Sequence, residues 1–357
     1  ARRAPVTSAV SQAMQRRLED SIGTVRPPTP TLWACMDNMQ TNWTMVKKIA
    51  KQILEPKYGL KNFHSDLGAF PELHLYMLDE LNYGEDSPSA RNGNANMSSG
   101  RTLGDECQRT LGAFYAIFWM LRLDIDGKEG FSNGVDANWN PISLKGGDDL
   151  RVAQADKRIK FMENAKWDFF KKLLMDAGLL EEKKGSLFKG PKLQVVEKRL
   201  VSLLSLTAIH DIMKMSILLP TVQEKHSPYN GYYAGDTIGD HDHALSYIME
   251  YYPQLLPSFR GLEEGEKMSV QFTQCKLAFN HGWFVQAEAP PGAIFTKFRE
   301  VLIRDHKSQI SQQDVALYFV HWLTDLAGAE PTPLAGCEKF VTKFPLPVLN
   351  SFLRSFE

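Results

Sequence analysis

A histidine and an aspartate stand side by side in the most apolar stretch of the chain. His210 and Asp211 lie within residues 200–219, and Lys214 follows on the same side of the predicted helix. A buried carboxylate needs a cation or several strong donors, because removing an isolated charge from water is costly. A divalent metal would satisfy both residues together. An internal ion pair between Asp211 and Lys214, with a hydrogen-bonded histidine, would also satisfy them, so the residues alone leave both interpretations open.

Four alternating ligand-type residues form a second candidate group: Asp240, His241, Asp242 and His243. Imidazole and carboxylate donors suit zinc, iron, manganese or nickel, and a neighbouring carboxylate can orient an imidazole ring. Aspartate is also a preferred N-cap residue. The segment therefore predicts either a metal site or a solvated turn at the start of a helix.

Two further candidates lie nearer the C-terminus. His281 is flanked by aromatic residues, and an ordinary core histidine is the alternative there. Asp325 stands on the apolar side of a late helix and shares a face with His321, one turn earlier. A hydrogen bond between these two residues is the alternative to a ligand role. The order His-Asp, His, His, Asp along the chain is a stronger signal than any of these residues alone.

The segments that must position these residues are mostly helical. Apolar residues recur with helical spacing through residues 31–82, and strongly apolar helices are predicted over 105–123 and 193–219. Ser311, with Asp314 three positions later, is typical of a capped helix start. Because strand patterns are scarce, the sequence predicts an all-α fold class.

Interruptions of the helical pattern predict how the chain is divided into regions. We expect an N-terminal arm over residues 1–30, a helical N-terminal region over 31–150 and a helical domain over 151–357. Gly, Asn, Ser and Asp are concentrated at 83–104 and 124–150, which predicts two long loops within the N-terminal region.

A motif around the His-Asp pair resembles a known family. Residues 206–214, LTAIHDIMK, resemble the apolar-apolar-x-His-Asp-apolar-x-Lys helix of the HD-domain superfamily of metal-dependent phosphohydrolases. Residues 319–329 resemble the closing helix that supplies the last aspartate ligand, Asp325 here. The resemblance covers residues 155–330 and implies an HD-domain-like helical bundle.

The resemblance also implies a cofactor, namely one or two divalent ions (Fe, Mn, Zn or Ni) that activate water for attack on a phosphoryl group. It implies a ligand set drawn from His210, Asp211, His241, His243, His281 and Asp325. Two-metal branches of the family add histidines where His241 or His243, and His281, stand in this chain.

One departure from the family pattern concerns an earlier histidine, which usually precedes the His-Asp pair. This sequence has none between His74 and His210. Glu181 or Glu182 could supply an oxygen ligand instead, or His64 or His74 could reach in from the N-terminal region. A degenerate site that binds no metal is the third option.

The implied activity is hydrolysis of a phosphoester, with a nucleotide or another small phosphorylated metabolite as substrate. Asp211 and Lys214 would act at the reacting centre, and Lys214 with Arg260 would contact phosphate. Tyr229 and Tyr232 could contact a ring or sugar, although ordinary packing of these tyrosines is the alternative.

Two other functions stay open beside the phosphohydrolase, so whether the chain is an enzyme is itself undecided. One branch of the superfamily resembles di-iron oxygenases that cleave C–C or C–P bonds, and an N/O ligand set does not select iron over manganese or zinc. A non-catalytic helical scaffold, with a degenerate HD-like core, would instead bind a protein partner through residues 31–123.

Composition excludes several classes of protein. With 41 Lys+Arg against 42 Asp+Glu and a net charge of −1, the chain is no generic nucleic-acid binder. Its 4 cysteines, none at CxxC spacing, exclude a disulfide scaffold and a cysteine zinc site. No apolar run is long enough for a membrane span. We expect an intracellular protein, in the cytoplasm or in an organelle interior after removal of an Arg-rich targeting segment near the N-terminus.

Overall fold

Helices form most of the part of the chain that the structure describes. The computed structural model describes residues 28–78, 99–143, 154–183, 192–276, 296, 310–329 and 333–354. Its α-helices are α1 (Pro30–Met36), α2 (Trp43–Gln52), α3 (Leu60–Asp66), α4 (Leu103–Leu121), α5 (Gly127–Asn133), α6 (Ala155–Asn164), α7 (Trp167–Asp176), α8 (Glu197–Ile209), α9 (His241–Tyr251), α10 (Pro257–Arg260), α11 (Glu264–Gln271), α12 (Gln312–Gly328) and α13 (Leu346–Arg354). The predicted all-α class is confirmed at this level, whereas likeness to the HD-domain bundle stays a prediction.

Short turns of other helix types connect these elements. The 3-10 turns are Leu67–Ala69, Pro71–Met77, Ile212–Lys214, Ser216–Leu218, Glu224–His226, Pro253–Leu255 and Pro333–Ala335, and the π-helical turns are Phe272–Lys276 and Lys339–Lys343. Among the described residues, no helix combines the length and apolarity that a bilayer span requires.

A two-stranded antiparallel hairpin is the one sheet in the described part of the chain. Strand β1 (Leu180–Lys183) pairs with β2 (Lys192–Val195), with Leu180 opposite Val195. The predicted helix over 193–219 is therefore wrong at its start. Consecutive valines favour a paired strand, and an acidic residue in the first turn suits the helix that follows, α8, which begins at Glu197.

The same predicted helix is also wrong at its end. Helix α8 stops at Ile209, and the chain continues through the 3-10 turns Ile212–Lys214 and Ser216–Leu218. The N–H of Lys214 donates to the carbonyl of Asp211 at 3.0 Å, which closes the first of these turns. His210 and Asp211 therefore follow a buried helix rather than lying within it.

The predicted long loop over 124–150 is wrong for its described part. Helix α5 occupies Gly127–Asn133, and a bridge joins Val135 to Pro141. Gly134 ends the helix at φ +64°, a conformation that glycine adopts without steric cost. A short helix between glycines carries too few apolar positions to be recognised by periodicity. Most of the other predicted loop, 83–104, lies outside the described residues, as does most of the predicted N-terminal arm.

The chain divides into two compact units. The first comprises residues 1–42, 70–107 and 208–262, and the second comprises 43–69, 108–207 and 263–357. The regions predicted from the sequence, 1–30, 31–150 and 151–357, stay a prediction.

Each unit has its own apolar core. In the first, Leu32, Ile212 and Ile248 are fully buried, and helix α9 packs against the turn Ile212–Lys214. In the second, the Phe63 ring lies 5.3 Å from Phe118, centroid to centroid. These cores stabilise the backbone that carries the candidate residues.

A fully buried carboxyl group in the first unit leads to a pH-dependent prediction. Glu72 Oε1 accepts the N–H of Ser258 at 2.8 Å. Burial raises the pKa of Glu72, although the Ser258 hydrogen bond and the charge of Arg260 oppose that rise. Because the pKa is higher in the folded than in the unfolded chain, the contribution of Glu72 to stability is present at low pH. It is lost as the pH rises through the folded value.

We therefore expect Glu72→Gln to raise the free energy of unfolding near neutral pH by on the order of 1 kcal/mol, with a smaller effect near pH 5. Glutamine keeps the acceptor oxygen and removes the ionisation. Urea denaturation at both pH values checks this, with the exposed Glu264 replaced by Gln as the control. A Glu72→Gln protein less stable than the unmodified chain at both pH values would contradict the account.

Candidate metal centre

The His210–Asp211 pair lies in a nearly water-free environment. Each residue is 3% exposed, and His210 Nε2 is 3.4 Å from Asp211 Oδ2. Both residues belong to the first unit, and together they offer an imidazole nitrogen and a carboxylate oxygen. These are donor types that divalent transition metals accept.

The position of the pair follows from the end of helix α8. Leu203, Leu206 and Ile209 on this helix are fully buried, and so is Ile212 directly after the pair. The apolar residues on both sides hold the backbone in the interior, and they carry the histidine and the aspartate in with them. Such burial of a carboxylate is tolerated only beside a cation or strong donors.

Asp325 is carried by α12, a helix with a well-defined start. Ser311 Oγ accepts the N–H of Asp314, and the N–H of Ser311 donates to Asp314 Oδ2 at 2.8 Å. The predicted capping by Ser311 and Asp314 is confirmed. Leu323 and Thr324, next to Asp325, are almost completely buried, whereas Asp325 itself is partly exposed. The cap and the buried face together fix the position of the aspartate along the helix.

Lys214 forms the ion pair that the sequence had left as an alternative. Its Nζ is 2.7 Å from Asp211 Oδ2 and 3.6 Å from Oε2 of Glu106, and its side chain is 14% exposed. Its ammonium group is thus engaged with two carboxylates, so a phosphate would have to compete with them for it.

Glu106 is a residue of this site that the sequence did not reveal. It lies in the first turn of α4 and is fully buried, and Arg101 Nη1 is 3.9 Å from its Oε1. An acidic residue at a helix start is common, because it interacts favourably with the helix dipole. The sequence around Glu106 therefore gives no sign of a functional role. Its burial and its contact with Lys214 identify it as part of the site.

The second candidate group of the sequence is a helix cap. Asp240 is the N-cap of α9, and its Oδ1 accepts the N–H of His243 at 2.9 Å. His241 Nε2 is 3.6 Å from Asp242 Oδ1, and His243 Nδ1 is 3.9 Å from Asp240 Oδ1. Metal binding by His241 or His243 stays a prediction.

The pKa of Asp242 nevertheless depends in part on the charges of Asp211 and Lys214. Partial burial raises its pKa, and the carboxylates of Asp240 and Asp211 raise it further. The charges of His241 and Lys214 act in the opposite direction. The first unit therefore concentrates negative charge beside Asp211.

The residues predicted to bind substrate are engaged within the protein. Arg260 donates from Nη1 to the carbonyl of Gln254 at 2.9 Å and from Nη2 to that of Met39 at 2.5 Å. Tyr229 is largely buried and donates to Ser246 Oγ at 2.9 Å. The ring of Tyr232 lies 6.5 Å from that of His243. A substrate role for these residues stays a prediction.

His74 was one of the residues considered as replacements for the missing early histidine. It belongs to the turn Pro71–Met77, which packs against the turn Ile212–Lys214 in the first unit. His64 Nδ1 is 2.6 Å from Tyr115 Oη in the second unit, and Glu181 and Glu182 are exposed on strand β1. A ligand role for these residues stays a prediction, and His281 lies outside the described residues.

Comparisons with known proteins identify no relative, since no family model, no curated protein and no solved structure matches this chain.

Proposed function

We propose that this chain is a metal-dependent phosphohydrolase with His210, Asp211 and Asp325 as metal ligands. The proposal rests on one observation, the burial of His210 beside Asp211, with Nε2 of the histidine 3.4 Å from Oδ2 of the aspartate. The resemblance to the HD-domain superfamily supplies Asp325 as the third ligand. One imidazole and two carboxylates carry two negative charges, which complements a divalent cation. The N/O donor set is compatible with Fe, Mn, Zn and Ni.

A divalent ion held by these residues would lower the pKa of a bound water and polarise a phosphoryl oxygen. The residues themselves supply the surroundings for that chemistry. His210 and Asp211 are shielded from solvent, and charges interact more strongly where water is excluded. Lys214 brings a positive charge next to Asp211, where it can neutralise a phosphate oxygen.

The proposed substrate class is a small phosphoester, such as a nucleotide or another phosphorylated metabolite. Two features support it: the resemblance of residues 206–214 to the HD helix, and the cationic side chains of Lys214 and Arg101 beside the centre. Phosphate recognition in proteins relies on such charged donors.

Hydrolysis assays on the purified chain test the activity. The protein is loaded in turn with Fe²⁺, Mn²⁺, Zn²⁺ or Ni²⁺ and offered nitrophenyl phosphate, bis-nitrophenyl phosphate and a panel of nucleotides. We expect hydrolysis that depends on the metal and falls by at least about a hundredfold in Asp211→Asn. Hydrolysis that is equal in Asp211→Asn, or its absence with every metal, would contradict the proposal. Oxygen consumption with iron alone would favour the oxygenase alternative.

The contact between Lys214 and Asp211, 2.7 Å long, favours one alternative function. If the ammonium group is the permanent partner of Asp211, the centre is an internal ion pair and the chain is a non-catalytic helical protein. The two functions differ in metal content: the ion-pair alternative requires a protein that takes up no divalent metal at His210 and Asp211.

A further inference from the structure

Lys214 lies between two buried carboxylates. Its Nζ is 2.7 Å from Asp211 Oδ2 and 3.6 Å from Glu106 Oε2. Glu106 is fully buried and Asp211 is 3% exposed. Lys214 therefore forms an ion pair with an acid that is also a candidate metal ligand.

The charges around Lys214 explain why a cation is needed at this point. The carboxylates of Asp211 and Glu106 lie 2.7 and 3.6 Å from the ammonium group of Lys214. The half-exposed Arg101 lies 3.9 Å from Glu106 Oε1. A carboxylate buried without a cation is strongly destabilising. When no metal is bound, the ammonium group of Lys214 supplies the positive charge that Asp211 requires.

We infer that Lys214 is an internal competitor for the metal, which occupies the cation position beside Asp211 until a divalent ion displaces it. This inference rests on the proposed function, because it requires a metal at His210 and Asp211. Glu106 retains the displaced ammonium group, so Lys214 stays near the centre and becomes available to a phosphate oxygen. Metal and phosphate then strengthen each other's binding, since coupling between two ligands is reciprocal.

Isothermal titration calorimetry with Mn²⁺, on the unmodified chain and its variants, tests the competition. We expect Lys214→Met to bind Mn²⁺ about tenfold more tightly than the unmodified protein, because the competing charge is gone. Lys214→Gln keeps a hydrogen-bond donor between the two carboxylates and should also bind Mn²⁺ more tightly than the unmodified protein. It replaces Lys214→Met in the test if that variant does not fold. Circular dichroism establishes folding for each variant.

Lys48→Met is the matched control. Lys48 also pairs with a buried aspartate, Asp66, at 3.0 Å, but both residues belong to the second unit, whereas His210 and Asp211 belong to the first. Its Mn²⁺ affinity should equal that of the unmodified chain. Equal or weaker Mn²⁺ binding by both Lys214 variants, in a chain that does bind Mn²⁺, would overturn the competition and leave the proposed function standing. A chain that binds no divalent ion in any variant would overturn both.

Inorganic phosphate is the probe for the second half of the inference. Mn²⁺ should tighten phosphate binding to the unmodified chain, and this tightening should be about tenfold smaller in Lys214→Met. Tightening of the same size in the two proteins would show that the metal alone recruits phosphate, and would overturn a role for Lys214.

Discussion

Asp211→Asn is expected to weaken Mn²⁺ binding by at least about a hundredfold, the largest effect of any single substitution on the proposed centre. Asp211 is 3% exposed, and its carboxylate is one of the three proposed ligands. Asparagine preserves its size but removes its charge. The amide is a much poorer ligand for a divalent ion, while the fold around α8 is kept.

Calorimetric titration of Mn²⁺ into the two proteins measures this effect. Asp66→Asn is the matched control, because Asp66 is also buried and pairs with a lysine. Asp66 additionally accepts a hydrogen bond from Tyr58 Oη at 2.9 Å, so its loss should lower stability and leave Mn²⁺ affinity unchanged. The same Mn²⁺ affinity in Asp211→Asn and the unmodified chain would exclude Asp211 as a ligand.

Gly328→Ala is expected to lower the free energy of unfolding by about 3 kcal/mol, the largest effect on stability. In the second unit, the backbones of α4 and α12 approach at Gly112 and Gly328. A Cβ on Gly328 would lie 2.1 Å from the backbone nitrogen of Ala113, and one on Gly112 would lie 2.5 Å from the carbonyl oxygen of Gly328. No side chain can yield there, so the two helices must separate.

Urea denaturation of Gly328→Ala and of the unmodified chain measures the loss of stability. Gly265→Ala is the control: a Cβ there meets no atom within 4 Å, and alanine within a helix stabilises by about 0.5–1 kcal/mol relative to glycine. Gly328→Ala with unchanged stability would contradict the close approach.

The candidate centre was partly accessible from the sequence. The apolar run around His210 and Asp211 predicted a buried pair, and both residues are buried. That Asp325 joins them in one site stays a prediction. Glu106 was not accessible, because its contact with Lys214 joins segments far apart in the chain and an acidic helix start is unremarkable by itself. Long-range contacts of this kind leave no local pattern.

Prediction of the individual helices and strands was limited in the same way. The helical class followed from apolar periodicity, and the capped start of α12 followed from Ser311 and Asp314. The hairpin of β1 and β2 was missed because each strand has only 4 residues, too few for an alternating pattern to stand out, and the two are rich in Lys, Glu and Gln. The end of α8 was missed because 3-10 turns continue the apolar run with nearly the same spacing.

The central claim is that His210 and Asp211 bind a divalent metal, and metal content tests it most directly. Elemental mass spectrometry measures that content in the unmodified chain and in a His210→Ala/Asp211→Ala double variant, each as purified and after reconstitution with metal. The account predicts about one or two equivalents of Fe, Mn, Zn or Ni in the unmodified chain and none in the folded double variant. An unmodified chain that holds no metal after reconstitution, or a double variant that holds as much, would contradict it.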